Sequence, residues 1–233
     1  MSKLSFISDE ALISEVKHLL IIASQAKSKS ERDFTRNVID PFAVLFEMSG
    51  FDVDEITWGK SEQNRQIQKT LQNHVGAFHQ RILGSIAGWE NTGSGGVIDL
   101  VSHQRKIIAE VKNKFNTVKG SDKVKIYDQL EMQVMTKGHQ YKGYTAYYVE
   151  VVPQSVQHYD KEFTPSDNSQ GEQRKPNPLI RQIDGYSFYG LVTGMPDALR
   201  QLFSVLPDVI EENSEYKFKN REFALAFFHK AFG

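Results

Sequence analysis

Hydrophobic residues recur at helical spacing near both ends of the chain and at strand spacing in its middle. Residues 8–23 begin with a capping serine and an acidic first turn, and apolar residues then follow every three or four positions, which predicts a helix. The polar run at residues 27–30 indicates a break, and residues 31–48 predict a second helix that bends at Pro41. Further helices are predicted over residues 62–87, 124–136, 195–209 and 220–232.

The middle of the chain contains β-forming residues in short runs. Residues 97–101 and 107–111 are two such runs with polar residues between them, which predicts an antiparallel hairpin. Residues 144–152 are almost entirely β-forming and carry one charge, which predicts a buried central strand. This strand follows a predicted helix, so we expect an α/β fold in which a mixed sheet is flanked by helices.

Three charged residues of the predicted hairpin have the chemistry of a catalytic site. Glu110 and Lys112 are two residues apart, so both side chains point to one face, and Asp99 meets them from the partner strand. Paired carboxylates suit magnesium, and a nearby lysine can orient water and offset phosphate charge. An amphipathic hairpin with solvated charges is the alternative, although Ala109 and Val111 make the other face apolar. The spacing favours a magnesium-dependent phosphodiester hydrolase.

Composition excludes several other classes of protein. The 233 residues contain no cysteine, which excludes disulfides, thiol catalysis and cysteine-bound zinc and is compatible with a reducing cytoplasm. The chain has no apolar run near the roughly 20 residues that span a bilayer, and its N-terminus lacks a secretory pattern. We therefore expect a cytoplasmic protein without a membrane partner.

The charge distribution changes the interpretation of the net charge. A net charge of −1 argues against a nucleic-acid partner, because phosphate binding depends on lysine and arginine. Residues 103–125, however, carry seven basic and two acidic residues, a local charge of +5 that overlaps the carboxylate motif. This pattern suits a nuclease that must bind and then release DNA, and a solvated lysine-rich loop is the alternative.

The same residues resemble a known nuclease motif. Asp99 with Glu110-Val111-Lys112 resembles the PD-(D/E)xK signature, with Ile98 in place of its proline. The extension EVKNKFNTVKGSDK and the later PNPLIRQIDGYSFYGLVTG are similar to a family of type II restriction endonucleases that cut GGNCC or GGWCC sites. The resemblance runs from about residue 35 to residue 194.

The resemblance implies a restriction-endonuclease-like core, Mg2+ as cofactor, and a homodimer acting on palindromic double-stranded DNA. It implies that Asp99, Glu110 and the carbonyl of Val111 hold the metal while Lys112 positions the attacking water. It also implies a bacterial or archaeal host with a cognate DNA methyltransferase that is not a physical partner. A sequence-nonspecific or repair nuclease, and a non-catalytic DNA-binding module, are the alternatives.

Candidate DNA contacts lie in two places. Asn113, Lys114 and Asn116 follow the motif and are candidates for contacts to the DNA backbone, with loop structure as the alternative. The irregular segment 153–184 is expected to read bases, because arginine and lysine suit guanine, asparagine suits adenine, and aspartate accepts from cytosine. Its candidates are Arg174, Lys175, Asn177, Arg181 and Asp184, and a surface loop is the alternative.

The helix before the hairpin carries His79 and Gln80 where nucleases of the resembled class often place an acid. These two are candidates for hydrogen bonds behind the metal ligands, and Glu47 and Glu62 are the nearest acids. We interpret the glycine-rich stretch 93–96 as a flexible turn, since it precedes a strand where a nucleotide loop would open a helix.

The length predicts one nuclease domain. Its expected parts are a helical N-terminal part (1–60), a catalytic core (61–152), a recognition segment (153–194) and C-terminal helices (195–233). The N-terminal helices are expected to form scaffold or dimer contacts. The aromatic residues of the last helix, including Phe223 and Phe227, are expected in the core or a dimer interface.

Overall fold

The computed structural model describes residues 2–34, 38–93, 95–167 and 171–233, with the side chains of 31–33 left out. Thr35, at the start of the resemblance, and Ser94 of the glycine-rich stretch lie outside the described residues. The same holds for residues 168–170 of the predicted recognition segment.

The described residues form seven α-helices and eight β-strands. The helices are α1 (Asp9–Asp33), α2 (Pro41–Phe51), α3 (Glu55–Gly84), α4 (Gly120–Met135), α5 (Gly185–Thr193), α6 (Ala198–Glu212) and α7 (Arg221–Phe232). The strands are β1 (Glu90–Asn91), β2 (Leu100–Ser102), β3 (Ile107–Lys114), β4 (Thr145–Val152), β5 (Asp160–Glu162), β6 (Ser166–Asp167), β7 (Glu172–Gln173) and β8 (Ile180–Asp184).

The chain divides into two compact units. The first comprises Met1–Val16 and Phe78–Gly233, and the second comprises Lys17–Ala77. In the second unit, Trp58 lies edge-on to Phe34 at 6.5 Å and donates a hydrogen bond from Nε1 to Glu47 at 2.8 Å. The division of the chain into a catalytic core and a recognition segment stays a prediction.

A mixed six-stranded sheet organises the first unit, in the order β1-β2-β3-β4-β8-β5. The pair β2–β3 is antiparallel, as predicted for the hairpin, while β3–β4 and β4–β8 are parallel. The strand β5 closes one edge antiparallel to β8, and β6 and β7 form a separate two-stranded ribbon. The predicted mixed α/β sheet is confirmed, and the predicted central strand is its fourth in this order.

The main core lies between the sheet and α4. Ile108, Tyr148 and Ile180 contribute one residue from each of the three parallel strands, and all are fully buried. Leu130 and Val134 of α4 pack against them. Side chains alternate along each strand, so the residues at even positions of β3 all face this layer, including those at the strand's C-terminal end.

The turn from β8 into α5 brings two backbones unusually close. A Cβ atom at Gly185 would lie 2.3 Å from the carbonyl oxygen of Val151, so glycine is required for this approach. Asp184 caps the helix by accepting from the backbone N–H of Ser187 at 3.0 Å. The close turn holds α5 against β4.

Three predictions for the N-terminal helices were wrong in their bounds. The helix α1 continues through residues 27–30 to Asp33, because lysine and serine do not end a helix as glycine or proline would. Pro41 starts α2 where a bend was predicted, with Asp40 as its cap, since proline is well suited to the first helical position. The helix α3 begins at Glu55, earlier than predicted.

The segment 153–184 is more regular than predicted. It contains β5, β6, β7 and the buried strand β8, and α5 follows it directly. Strand β8 has only five residues, and its two buried isoleucines, Ile180 and Ile183, are three positions apart. The strand therefore lacks the alternation of apolar and polar residues by which a strand is predicted from sequence.

Candidate active site

The hairpin brings the first predicted carboxylate beside β3. Asp99 precedes β2, and its backbone N–H donates to the carbonyl of Ala109 at 2.9 Å. Its Oδ2 accepts a hydrogen bond from the backbone N–H of Val111 at 2.7 Å. The side chain of Asp99 is thus fixed beside the segment that carries the other two candidates.

Glu110 and Lys112 share one face of β3 and form an ion pair between Oε1 and Nζ. Glu110 is buried, with 7% of its surface exposed, and no hydrogen-bond partner for its Oε2 is found among the described residues. Burial and the negative charge of Asp99 raise the pKa of Glu110 to about 7 despite the nearby ammonium of Lys112. Burial also raises the pKa of Asp99. The structure therefore brings all three predicted catalytic residues together.

The donors at this point fit a divalent cation. The half-buried Asp99 and the buried Glu110 lie together with raised pKa values, and one Glu110 oxygen lacks a hydrogen bond among the described residues, so added positive charge would relieve both features. Within the described part of the chain, no three side chains of histidine, cysteine or acidic type form a metal cluster. A cation here would therefore rely on two carboxylates, backbone oxygen and water, as magnesium commonly does.

The helix α3 contributes Gln80 to this site and directs His79 elsewhere. The Nε2 of Gln80 donates to the carbonyl of Val111 at 3.3 Å, and its side chain also lowers the pKa of Asp99. His79 instead shares a hydrogen bond with the hydroxyl of Tyr189 at 2.9 Å, and burial of its imidazole lowers its pKa to about 4. Gln80 is therefore the one of the two that supports the predicted ligands.

The predicted acids of the N-terminal half have other partners. Glu62 accepts hydrogen bonds from Arg65 and Gln66 of its own helix, and these contacts lower its pKa. Glu47 accepts from Trp58.

A second buried carboxylate, on the neighbouring strand, was not predicted. Glu150 of β4 is fully buried and lies opposite Lys112 in the parallel register. Its Oε1 accepts from Lys123 at 2.6 Å, and its Oε2 accepts from Tyr159 at 2.6 Å and from Gln182 at 2.9 Å. The one charge in an otherwise apolar strand was the sequence signal for this cluster.

The candidates for contacts to the DNA backbone lie at the C-terminal end of β3 and just after it. Asn116 and Lys123 line an open cavity of about 430 Å3, and the Lys123 ammonium lies 4.2 Å from the ring centroid of Phe115. Asn113 and Lys114 are half-buried at the end of β3, and the backbone N–H of Lys114 donates to Thr117 at 3.1 Å.

Two arginines among the base-reading candidates are paired with aspartates. The guanidinium of Arg174 contacts Asp128 at 2.7 Å and Asp167 at 3.0 Å. Arg181 contacts Asp160 and lies on β8, within the sheet. Either arginine can contact a base only if its guanidinium first leaves its aspartate partner.

The remaining base-reading candidates differ in their accessibility. Asp184 is fully buried, and its carboxylate accepts from Ser187 and from the backbone N–H of Tyr159 at 2.7 Å. These contacts give it a structural role inside the fold, contrary to the expectation of a surface contact. Asn177 accepts from the backbone N–H of Leu179 at 3.0 Å, while Lys175 is exposed.

A mixed sheet with two carboxylates and a lysine converging on one hairpin defines the class of the protein, a PD-(D/E)xK nuclease. The model of the Eco47II restriction endonuclease family matches residues 4–214, a longer span than the resemblance in the sequence indicated. The chain belongs to this family and is a type II restriction endonuclease.

Two relatives support this assignment. The chain is 51% identical to the type II restriction enzyme Eco47II of Escherichia coli over 211 residues, which cover 91% of this chain and 88% of the relative. It is 30% identical to the type II restriction enzyme Sau96I of Staphylococcus aureus over 229 residues, which cover 97% of this chain and 86% of the relative. No helix in the described ranges is long and apolar enough to cross a membrane.

Proposed function

We propose that this enzyme is a Mg2+-dependent homodimer that cuts both strands of double-stranded DNA within a short palindromic site of the GGNCC or GGWCC type. The observation that carries the proposal is the buried, incompletely satisfied carboxylate of Glu110 beside Asp99 and Lys112. The similarity to two type II restriction enzymes supports sequence-specific cutting. We propose that it acts in the cytoplasm of a bacterial or archaeal host, where a cognate methyltransferase protects the host DNA.

Asp99, Glu110 and the carbonyl of Val111 are the proposed ligands of the metal. Bound there, magnesium supplies charge neutralisation for the scissile phosphate and lowers the pKa of water. Asp99 is already oriented by its hydrogen bond from the N–H of Val111, and the contact from Gln80 orients the carbonyl of the same residue. The ligands therefore need little rearrangement before they bind the ion.

Lys112 is the proposed residue that positions the attacking water and offsets charge on the phosphate. Its ammonium is held by Glu110 on the same face of β3, so it lies beside the proposed ligands. An ammonium fixed next to the reacting phosphate stabilises the negative charge that develops there.

The test incubates plasmid DNA with the full-length protein and Mg2+. Discrete fragments are the expected result, and Glu110→Ala should abolish them while Glu90→Ala, an exposed acid of the same sheet, should leave them unchanged. Indiscriminate or structure-dependent cutting would favour the repair-nuclease alternative. A shifted band with intact DNA would favour the non-catalytic alternative.

Lys112→Ala should suppress cleavage by about a hundredfold or more without abolishing DNA binding, because the charge acts on the reacting phosphate. Gel-shift titrations with a cognate duplex in the absence of Mg2+ would measure binding, and timed digestion would measure cleavage. Lys142→Ala, an exposed lysine outside the basic stretch, is the control. Equal losses of binding and cleavage in Lys112→Ala would contradict the proposed role.

Asn113, Lys114 and Asn116 remain the proposed contacts to the DNA backbone, and Arg174, Lys175, Asn177 and Arg181 the proposed base contacts. The exposed position of Lys175 supports this assignment, while Arg174 and Arg181 must first leave their aspartate partners. A base contact should change which sites are cut, whereas a backbone contact should weaken binding to all sequences and reduce its salt dependence. Because its carboxylate is occupied inside the fold, Asp184 is left out of the proposed interface.

A further inference from the structure

The helix α2 is largely apolar, with Glu47 as its one charged residue, and none of its residues is buried. Phe42, Leu45 and Phe46 fall on one face by their spacing of three and four residues, and they are 72%, 67% and 76% exposed. All eleven residues of α2 are described, and none is buried. Helices that are hydrophobic all round are normally buried, so α2 has the composition of an interior helix at a surface position.

A helix of this kind needs a covering surface. Helices shorter than about 12–15 residues are marginal in water, and most gain their stability by packing an apolar face. α2 has a good start, with Asp40 as cap and Pro41 in its first turn, but its most apolar face is unpacked. At the end of the helix, Phe51 is 70% exposed, and Ile56 at the start of α3 is 65% exposed. These five side chains, Phe42, Leu45, Phe46, Phe51 and Ile56, are referred to below as the α2 surface.

The segment that forms the α2 surface carries no basic residue of its own, which disfavours DNA as its occupant, although Arg65 of α3 lies near Glu47. Residues 38–56 contain five acidic residues and no lysine or arginine. DNA phosphates and anionic lipid headgroups would both be repelled, since each is attracted by basic residues. The acids lie mostly at the two ends of α2, as its caps Asp40 and Asp52 show, while its exposed face is uncharged. An uncharged apolar face is self-complementary, as a twofold interface requires.

We propose that the α2 surface packs against the same surface of a second copy of this chain and forms the dimer interface. The proposal rests on the homodimer included in the proposed function. Three phenylalanines, a leucine and an isoleucine at these exposures present on the order of 700 Å2, close to the roughly 800 Å2 that each partner buries in a standard interface. Aromatic side chains are also the most common anchors of interfaces.

The last helix, α7, offers the competing surface, and its environment differs. Phe228 and Phe232 of α7 are buried in the fold. The two exposed rings, Phe223 and Phe227, pack edge-on against each other at 5.1 Å. Helix α7 thus has buried aromatic residues, whereas no residue of α2 is buried.

Sedimentation velocity of the full-length protein tests the proposal. The wild type should sediment at twice the chain mass of 26.6 kDa. Phe46→Glu should raise the dimer dissociation constant at least about 30-fold, as expected for a central aromatic anchor. Phe223→Glu, a phenylalanine of similar exposure on α7, is the control and should leave it unchanged. Added salt should strengthen the dimer by screening the acids, and should weaken DNA binding.

Cross-linking gives a second measurement that does not depend on destabilising the protein. The chain has no cysteine, so a single introduced cysteine can form a disulfide only with its own copy. Leu45→Cys or Ser49→Cys should cross-link under mild oxidation, since both positions are exposed on α2, and Phe223→Cys should not. A monomeric wild type would overturn the proposal. It would also be overturned if only Phe223→Cys formed a cross-link and only Phe223→Glu weakened the dimer.

The outcome separates this proposal from the proposed function. A wild-type monomer that still cuts a palindromic site would refute the α2 interface and leave the cleavage function intact. A dimer that depends on Phe46 but yields intact plasmid with Mg2+ would refute the function and leave the interface. If both hold, Phe46→Glu should accumulate nicked plasmid before linear product, because each monomer then cuts one strand at a time.

Discussion

The neighbouring strands β3 and β4 each bury a glutamate, and the two glutamates differ in how fully they are hydrogen-bonded. Glu110 on β3 has one ion pair, and no partner for its Oε2 is found in the described ranges. Glu150 on β4 receives hydrogen bonds on both oxygens from Lys123, Tyr159 and Gln182. Burial is similar, so the difference lies in the partners.

This contrast separates a site prepared for something external from one completed by the chain. A buried charge without full hydrogen bonding is expensive, and such a group persists where function requires it. A buried carboxylate that accepts from three donors contributes to the structure. Removing it leaves its cationic partner without a counter-charge inside the protein. Four substitutions or conditions should make the contrast measurable.

The largest effect should come from Glu110→Gln, which keeps the shape and removes the charge. Cleavage should fall by about a thousandfold or more, as expected for loss of several kcal/mol of transition-state stabilisation. Thermal stability at about pH 8 should rise, because the raised pKa of Glu110 means that its ionised form is disfavoured in the fold. Timed digestion and thermal unfolding of the same samples measure both, and lower stability with intact cleavage would reverse the assignment.

Glu150→Gln should show the opposite balance, with a greater loss of stability than of cleavage. Breaking a buried ion pair from one side costs up to about 3–5 kcal/mol, and the loss here should be at the lower end, because the Lys123 ammonium is only partly buried. Urea unfolding should record this loss. The double variant with Lys123→Met should recover part of it, since the two residues act as a pair. An unchanged unfolding midpoint in Glu150→Gln would show that this cluster is not structural.

The third effect is a pH dependence of metal binding. The pKa of Glu110 is raised from 4.5 to about 7, so between these values the folded protein binds more protons than the unfolded chain. The free energy of unfolding should therefore fall as pH rises from about 4.5 to about 7. Added Mg2+ requires the deprotonated carboxylate and should raise the Tm more at about pH 8 than at about pH 6. Calorimetry with Glu110→Gln should show little metal effect at either pH.

Gln80→Ala should have the smallest effect, a weakening of Mg2+ affinity by roughly tenfold. Gln80 orients the carbonyl of Val111, and residues behind metal ligands typically contribute at this level. Titration of Mg2+ in the cleavage assay measures the change. Gln68→Ala, an exposed glutamine of the same helix, is the control and should match the wild type. Equal affinity in both variants would remove Gln80 from the site.

The hairpin that carries Asp99, Glu110 and Lys112 could be predicted from sequence, because the pattern that defines it is local. Strand periodicity places Glu110 and Lys112 on one face, and the short connection sets the partner strand that carries Asp99. The placement of Gln80 also followed from its position in the helix before the hairpin.

The cluster around Glu150 could not be predicted because its donors come from three separate elements. Lys123 lies on α4, Gln182 on β8, and Tyr159 just before β5, and only the sheet order brings them together. The strand β8 itself was missed because its polar residues resemble those of a loop. The bounds of α1 failed for a similar reason, since a polar run without glycine or proline can continue a helix.

The strand β3 is paired on both sides, antiparallel to β2 and parallel to β4. A single inserted residue in β3 ahead of Glu110 would turn both Glu110 and Lys112 toward the opposite layer of the protein. The same insertion in the exposed connection at residues 103–105 would leave the faces of both strands unchanged. Two insertions only a few residues apart would therefore have different fates, one inactivating the enzyme and the other tolerated.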